Sequence, residues 1–306
     1  MFIGILVGMS PIRVWWLAIR PRTLPAATAP VLVGTAEAFR TGNMIMGPAL
    51  AALVGALLIQ IVSNLANDLF DFVKGADTEE RLGPTRVTQA GLVSKRAIGT
   101  ALLLCILLAI LVGLYLVWIG GWPVVVIGVI SLLCAVAYTG GPFPLGYLGL
   151  GELFVFIFFG PVAVAGTYYV QAHTFSSFAV LAGVPIGLLC ANILVVNNVR
   201  DIDTDRKAGK RTLVVRLGRA FGERLYLADI LLAVTALLLF SLLTKGYLAL
   251  LACVVAYFVG KPLYESIRTQ KGRELNPILG RTAQFELQFS LAMSLGIALS
   301  RLFMFQ

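Results

Sequence analysis

Long apolar runs recur down the whole chain, with centres near residues 27, 55, 107, 131, 160, 188, 233, 255 and 293. Crossing the hydrocarbon core of a bilayer takes about 20 mostly apolar residues in a helix. The pattern therefore predicts an all-α membrane protein with about nine transmembrane helices. It forms a single domain over residues 1–306, with the helical bundle at 13–303 and a tail at 1–12. The start of that tail, "MFIGILVGM", is apolar but too short to span, and it lacks the basic flank of a cleaved leader. It reads as an interfacial or loosely ordered segment.

Composition agrees with the pattern. Of 306 residues, 59% are apolar and 13% charged, far from the usage of an average soluble domain. The four cysteines each stand alone in an apolar run, which suits small buried side chains better than ligands or disulfides. The charge of +9 is a topology signal. With a cytoplasmic N-terminus, all of the 24 basic residues except Arg40, Lys245 and Arg301 fall in inside segments. That placement leaves no need for a nucleic-acid partner and is compatible with anionic lipid.

The acids cluster at the same face. Asp68, Asp71, Asp77, Glu79 and Glu80 follow the second run, and Asp201, Asp203 and Asp205 follow the sixth. "NLAND" (64–68) and "NNVRD" (197–201) share Asn-x-x-x-Asp four spans apart, which suggests a parallel internal repeat. Residues three and four apart share a helix face. Asn64, Asn67, Asp68 and Asp71 therefore form one polar stripe, and Asn197, Asp201 and Asp205 a second. Helix C-termini already carry partial negative charge, so two such ends would repel unless a cation lay between them. Carboxylate oxygens favour hard ions, and Mg²⁺ typically takes one or two carboxylates plus substrate phosphates. Lys74, Arg81 and Arg86 follow the first cluster, while Arg200, Lys207, Lys210 and Arg211 surround the second. Carboxylates mixed with guanidiniums suit a metal diphosphate, although most inside-loop bases only set topology.

These residues carry a family likeness. "NDLFD", then Asp77, with "DIDTD" in the second half, resembles the UbiA-type intramembrane aromatic prenyltransferases. The stretches "SNLANDLFDFVKGADTEERLGPTRVTQAG", "NNVRDIDTDRKAGKRTLVVRLG" and "YTGGPFPLGYLGLGE" resemble the branch that prenylates 1,4-dihydroxy-2-naphthoate for menaquinone. Two departures stand out. Gly75 occupies the place of the wider superfamily's third acid, and the loop at 138–152 has no Lys or Arg.

The resemblance implies a central cavity open to the cytoplasmic face and laterally to lipid, in a cell inner or plasma membrane. The substrates would be a polyprenyl diphosphate and the naphthoate, and the products demethylmenaquinol, CO₂ and diphosphate. Two or more Mg²⁺ ions would bridge Asp68, Asp71, Asp201 and Asp205 to the diphosphate and stabilise the leaving charge. Asn64 and Asn197 could position a phosphate oxygen or a metal-bound water, with Asn67 beside them. Arg200, Lys74 and Arg86 are the expected phosphate contacts, with Arg22 and Lys207 secondary. Tyr138 closes the fourth run on the active face. It either stabilises the allylic cation or serves as an interfacial belt tyrosine. His173, the only histidine, falls on the opposite face, and Glu152 begins the fifth run on the active one. Asp229 and Glu286 read as helix–helix polar contacts. Other aromatic acceptors (4-hydroxybenzoate, homogentisate) and a phytyl donor remain open. A transporter is the competing class, but its charges would sit near the midplane.

Overall fold

The structure, a computed structural model, describes residues 9–75 and 81–303. The expectations for the 1–12 tail fall largely outside those residues, as do those for Asp77, Glu79 and Glu80. The described residues are helical, with no strand among them. A short helix α1 (Pro11–Ile19) is followed by α2 (Pro25–Arg40), α3 (Met46–Val73), α4 (Lys95–Gly120) and α5 (Trp122–Ala137). Then come α6 (Gly151–Ala172), α7 (Ser177–Arg200), the short α8 (Ile202–Lys207) and α9 (Leu213–Leu217), and α10 (Arg219–Thr244). Helices α11 (Tyr247–Thr269) and α12 (Leu275–Phe303) complete the chain.

Each of the nine sequence-derived centres lies within one of these helices. Six helices, α3, α4, α6, α7, α10 and α11, have both the length and the hydropathy of a span. The other three differ for simple reasons. Helices α2 and α5 have 16 residues each, about 24 Å at 1.5 Å per residue, short of a core about 30 Å thick. Helix α12 has 29 residues but carries Arg281, Glu286 and Arg301.

Local chemistry sets the helix ends. Ser94 Oγ accepts from the Ala97 N–H at the start of α4, and Ser176 Oγ from the Ala179 N–H at the start of α7, each satisfying an orphan donor. After α3 the chain turns through Gly75 at φ 67°, the left-handed conformation glycine adopts without strain. A π turn at Phe158–Val162 breaks α6 where Gly160 packs on α7. A Cβ on Gly183 would fall 2.7 Å from the Gly160 backbone, so only glycine permits that approach.

One buried cluster joins α2, α7, α10 and α12 through Val33, Ile186, Leu189, Tyr226, Phe240, Phe285 and Phe289. A second joins α3 and α4 through Val62, Leu65, Ile98 and Leu102. Each motif-bearing helix packs along the long helix after it, α3 with α4 and α7 with α10. Outward faces remain apolar: Leu104, Leu111 and Leu114 of α4 and Leu133 of α5 are more than half exposed, as befits side chains whose solvent is lipid. This is an integral membrane protein.

Candidate active site

A cavity of about 580 Å³ runs between α2, α3, α4, α5, α6 and α7. Most of its wall is apolar. Polar groups gather at one end, where α3 finishes, where α7 gives way to α8, and where the loops at 81–88 and 138–150 pass.

From the first motif, Asn64, Asn67 and Asp71 line the cavity. Asn64 donates to the Ile19 carbonyl at 2.9 Å and to Thr23 Oγ1 at 3.0 Å, which ties α3 to the entry of α2. The Asn67 amide oxygen accepts from Thr139 Oγ1 at 2.8 Å. Asp71, 2% exposed, accepts from Arg86 Nη2 at 3.0 Å and from the Tyr147 hydroxyl at 2.8 Å.

The second motif is not the continuous helical stripe that the spacing predicts. Helix α7 ends at Arg200, Asp201 caps it, and Asp205 sits on the separate α8. Asn197, Asp201 and Asp205 nevertheless all line the cavity. The two halves meet at Lys210, whose Nζ lies 3.7 Å from Asp71 Oδ1 and 3.7 Å from Asp205 Oδ1. The same ammonium stands 4.8 Å above the Tyr147 ring, and Lys74 stands 5.1 Å from that ring. Burial pushes the Asp205 carboxyl up to about 6. The Lys210 charge opposes that rise, while Asp201 and Asp71 add to it.

Several expected residues are placed differently. Asp68 is 1% exposed and not among the cavity-lining residues. Its two carboxylate oxygens accept from the Val87 and Thr88 N–H groups, both at 3.1 Å, so it anchors the loop that carries Arg86. It sits at the edge of the α3 stripe, and a neighbouring loop claims both its oxygens. Arg200 also stays out of the cavity lining. Its guanidinium grips Asp201 at 2.8 and 2.6 Å, Asn197 Oδ1 at 2.6 Å and Asn276 Oδ1 at 3.0 Å. Asn276 in turn donates to the Leu82 carbonyl at 2.9 Å, linking α12 to the 81–88 loop. Lys74 donates to the Thr139 and Gly141 carbonyls at 2.6 and 3.3 Å and so pins the 138–150 loop. Arg22 and Lys207 are exposed and do not line the cavity. Of the five bases expected at phosphate, Arg86 lines it.

Tyr138 caps α5 and lines the cavity. Burial raises its hydroxyl pKa, so the phenol stays neutral. Glu152 accepts from Asn198 Nδ2 at 2.8 Å and joins the start of α6 to α7. His173 is exposed at the far end of α6, about 33 Å from that start by helical rise. The Glu286 carboxylate oxygens are buried with no hydrogen-bond partner among the described residues.

Sequence spacing did not single out Tyr147 or Thr23, and it named Lys210 and Arg81 only among the bases around the two acidic clusters. Tyr147 lies in the loop that lacks basic residues, and Lys210 follows the second motif. Both gain their place through tertiary packing.

No group of three or more His, Cys, Asp or Glu among the described residues closes into a ligand set. The donors at the polar end nevertheless fit a hard cation: carboxylates of Asp71, Asp201 and Asp205 with amide oxygens of Asn67 and Asn197 nearby. Mg²⁺ needs no complete protein cage, since it keeps waters and takes phosphate oxygens from its substrate.

A cavity that is apolar along its length, with acids from two repeated motifs at one end, defines an intramembrane enzyme class. Residues 23–277 match the UbiA prenyltransferase family, and the chain belongs to it. It is 38% identical over 303 residues to "1,4-dihydroxy-2-naphthoate octaprenyltransferase" of Escherichia coli (strain K12), covering 96% of this chain and 97% of the relative. The protein of the same name from Mycobacterium tuberculosis is 40% identical over 299 residues, with 96% and 100% covered. A UbiA homolog from Archaeoglobus fulgidus, solved bound to GPP and Mg²⁺, shares the fold with a TM-score of 0.57 at 14% identity. That match covers 92% of this chain and 99% of the other.

Proposed function

We propose that this protein transfers a polyprenyl group from its diphosphate to 1,4-dihydroxy-2-naphthoate, releasing diphosphate and CO₂ and giving demethylmenaquinol. The observation that carries this reading is the meeting of Asp71 and Asp205, from two motifs far apart in sequence, around one ammonium at the polar end of a long apolar cavity. The relatives bearing the naphthoate prenyltransferase name support the choice of acceptor.

In this account Asp71, Asp201 and Asp205 hold Mg²⁺, two or more ions in all. Bound Mg²⁺ supplies Lewis-acid stabilisation of the charge that develops on the leaving diphosphate. Arg86 and Lys210 meet phosphate oxygens. Asp68 and Arg200 serve one step back, holding the loops that carry those groups. The allylic C–O bond breaks, and the apolar wall keeps the cation from water. The Tyr138 ring lies against its path, where an aromatic face contributes about 0.5–2 kcal/mol. The electron-rich naphthoate ring attacks, forming the new C–C bond, and the carboxyl leaves as CO₂.

We read the bundle as nine spans, with α2, α5 and α12 completing the six long apolar helices. The N-terminus and the polar end of the cavity face the cytoplasm of a cell inner or plasma membrane, and the cavity opens sideways to lipid. The distribution of Lys and Arg supports that orientation.

The test uses purified protein in lipid with Mg²⁺ and polyprenyl diphosphates of mixed length. Dihydroxynaphthoate, 4-hydroxybenzoate and homogentisate are offered separately, and products are identified by mass. A prenylated, decarboxylated product from the naphthoate alone is expected. Product only with another acceptor would reject the naphthoate assignment and keep the prenyl transfer.

A further inference from the structure

The cations at the polar end are not bound alike. Arg200 reaches Asp201 at 2.6 Å and Arg86 reaches Asp71 at 3.0 Å, both within charge-assisted hydrogen-bond range or just beyond it. Lys210 stands 3.7 Å from each of its two carboxylates, too far for a hydrogen bond to either. It balances charge without locking onto one partner. The face of Tyr147 supports it at 4.8 Å, and the Tyr147 hydroxyl donates to Asp71, so the aromatic ring and the carboxylate form one shelf. The root of the side chain is fixed, because the Lys210 N–H donates to the Asp205 carbonyl at 2.9 Å after the turn at Gly209, φ 73°. Its head lines the cavity. A lysine is a point charge on a flexible four-carbon stem, suited to changing partners in a way a bidentate arginine is not.

We propose that Lys210 is a built-in counter-cation: a divalent metal displaces its ammonium from between Asp71 and Asp205, and the freed ammonium moves to the diphosphate. This rests on the metal–diphosphate reading above. Each half of the site thereby keeps its carboxylates apart in charge terms before substrate enters. Metal and lysine compete for the same two oxygens. Metal alone therefore binds weakly, and metal with diphosphate binds well, because the displaced ammonium gains a phosphate partner. Lys74, 5.1 Å from the Tyr147 ring centroid, stays on the loop carbonyls.

The experiment reads Lys210 directly in the full chain in lipid nanodiscs. Amines are acetylated with a lysine-directed reagent and the modified sites quantified by mass spectrometry, with exposed Lys245 as the internal control. Adding Mn²⁺ should raise acetylation of Lys210 several-fold against Lys245, and adding Mn²⁺ with inorganic pyrophosphate should suppress it again. In parallel, Lys210→Met should bind Mn²⁺ alone roughly three- to tenfold more tightly, the scale expected on removing a competing ion pair. It should also bind Mn²⁺–pyrophosphate more weakly than wild type, whereas Lys210→Arg should not tighten Mn²⁺ alone. If Lys210→Met fails to fold, the wild-type labelling decides alone. Labelling insensitive to Mn²⁺ that demonstrably binds would overturn the proposal, as would unchanged or weaker Mn²⁺ binding by Lys210→Met. Prenyl transfer by wild type with and without EDTA separates the two readings. Transfer lost in EDTA with labelling unaffected by metal rejects the counter-cation and keeps the metal site, whereas transfer surviving EDTA rejects both.

Discussion

At the residue scale the site is a set of carboxylates whose partners decide what each can do. Asp205 is buried, and burial holds its carboxyl at about 6. Because that value lies above the ordinary carboxylate range, the strained form is the ionised one, present above pH 6. A divalent cation bound as proposed would relieve that strain, and below pH 6 it would first have to displace a proton. The rise in Tm on adding Mg²⁺ should therefore be small at pH 5 and grow through pH 7. A Mg²⁺ effect equal at pH 5 and 7 would show that Asp205 does not titrate there. Tyr147 offers a second test. Its hydroxyl hydrogen bond to the Asp71 carboxylate is of the charge-assisted kind, about 1.5–3 kcal/mol, so Tyr147→Phe should lower kcat/KM roughly ten- to hundredfold. Tyr147→Ala should lower it further, since it also removes the ring beneath Lys210 and Lys74. Wild-type kinetics for Tyr147→Phe would mean that Asp71 is organised by Arg86 alone.

At the element scale, a loop is what separates the sequence reading from the structure. The apolar runs located the helices, and the Asn-x-x-x-Asp spacing located the polar end, because both follow from helical geometry within one segment. Spacing places a residue on a helix face; it does not say what packs against that face. Asp68 and Asp71 share one stripe, yet the 81–88 loop takes both oxygens of Asp68 and leaves Asp71 to the cavity. Arg200 and Lys74 look like phosphate ligands until Asn276 and the Thr139 and Gly141 carbonyls are seen to hold them. Tyr147 became legible only when two distant segments met, and Lys210, one of the bases named around the second cluster, stood out from the others only then. The loop account of Asp68 has its own consequence. Asp68→Ala strands two buried N–H groups, at about 1–3 kcal/mol each, and should destabilise the protein by about 2–5 kcal/mol. Hydrogen exchange at Val87 and Thr88 should accelerate, and activity should fall because Arg86 loses its support. Asp68→Asn, which keeps one acceptor, should fall between. Unchanged exchange at both amides would remove Asp68 from this role.

At the scale of the whole molecule, the cavity continues from the carboxylates along most of α3, from Asp71 to Ala52. That is about 28 Å of helix, close to the thickness of a bilayer core. Its wall mixes Ala and Gly of successive helices with Ile, Leu, Val and Phe, and on the proposed function this slot would hold the extended prenyl chain. Two of these residues are placed to test the slot. Gly128 on α5 and Gly113 on α4 both line the cavity, and a Cβ built on either meets nothing within 4 Å. A larger side chain there would enter the slot rather than break helix packing. The two stand at different depths. Gly128 is ten residues from Tyr138 along α5, about 15 Å. Gly113 lies level with Gly55 of α3, whose Cβ would touch Val112, and Gly55 is sixteen residues from Asp71, about 24 Å. Gly128→Phe should therefore exclude all but the shorter prenyl diphosphates, and Gly113→Phe should admit intermediate ones and reject the longest. Both variants should turn over a short donor near the wild-type rate, since the carboxylate end is untouched. Competition among donors of mixed length, read by product mass, gives the order directly. A reversed order, or no change in either variant, would place the chain outside this slot.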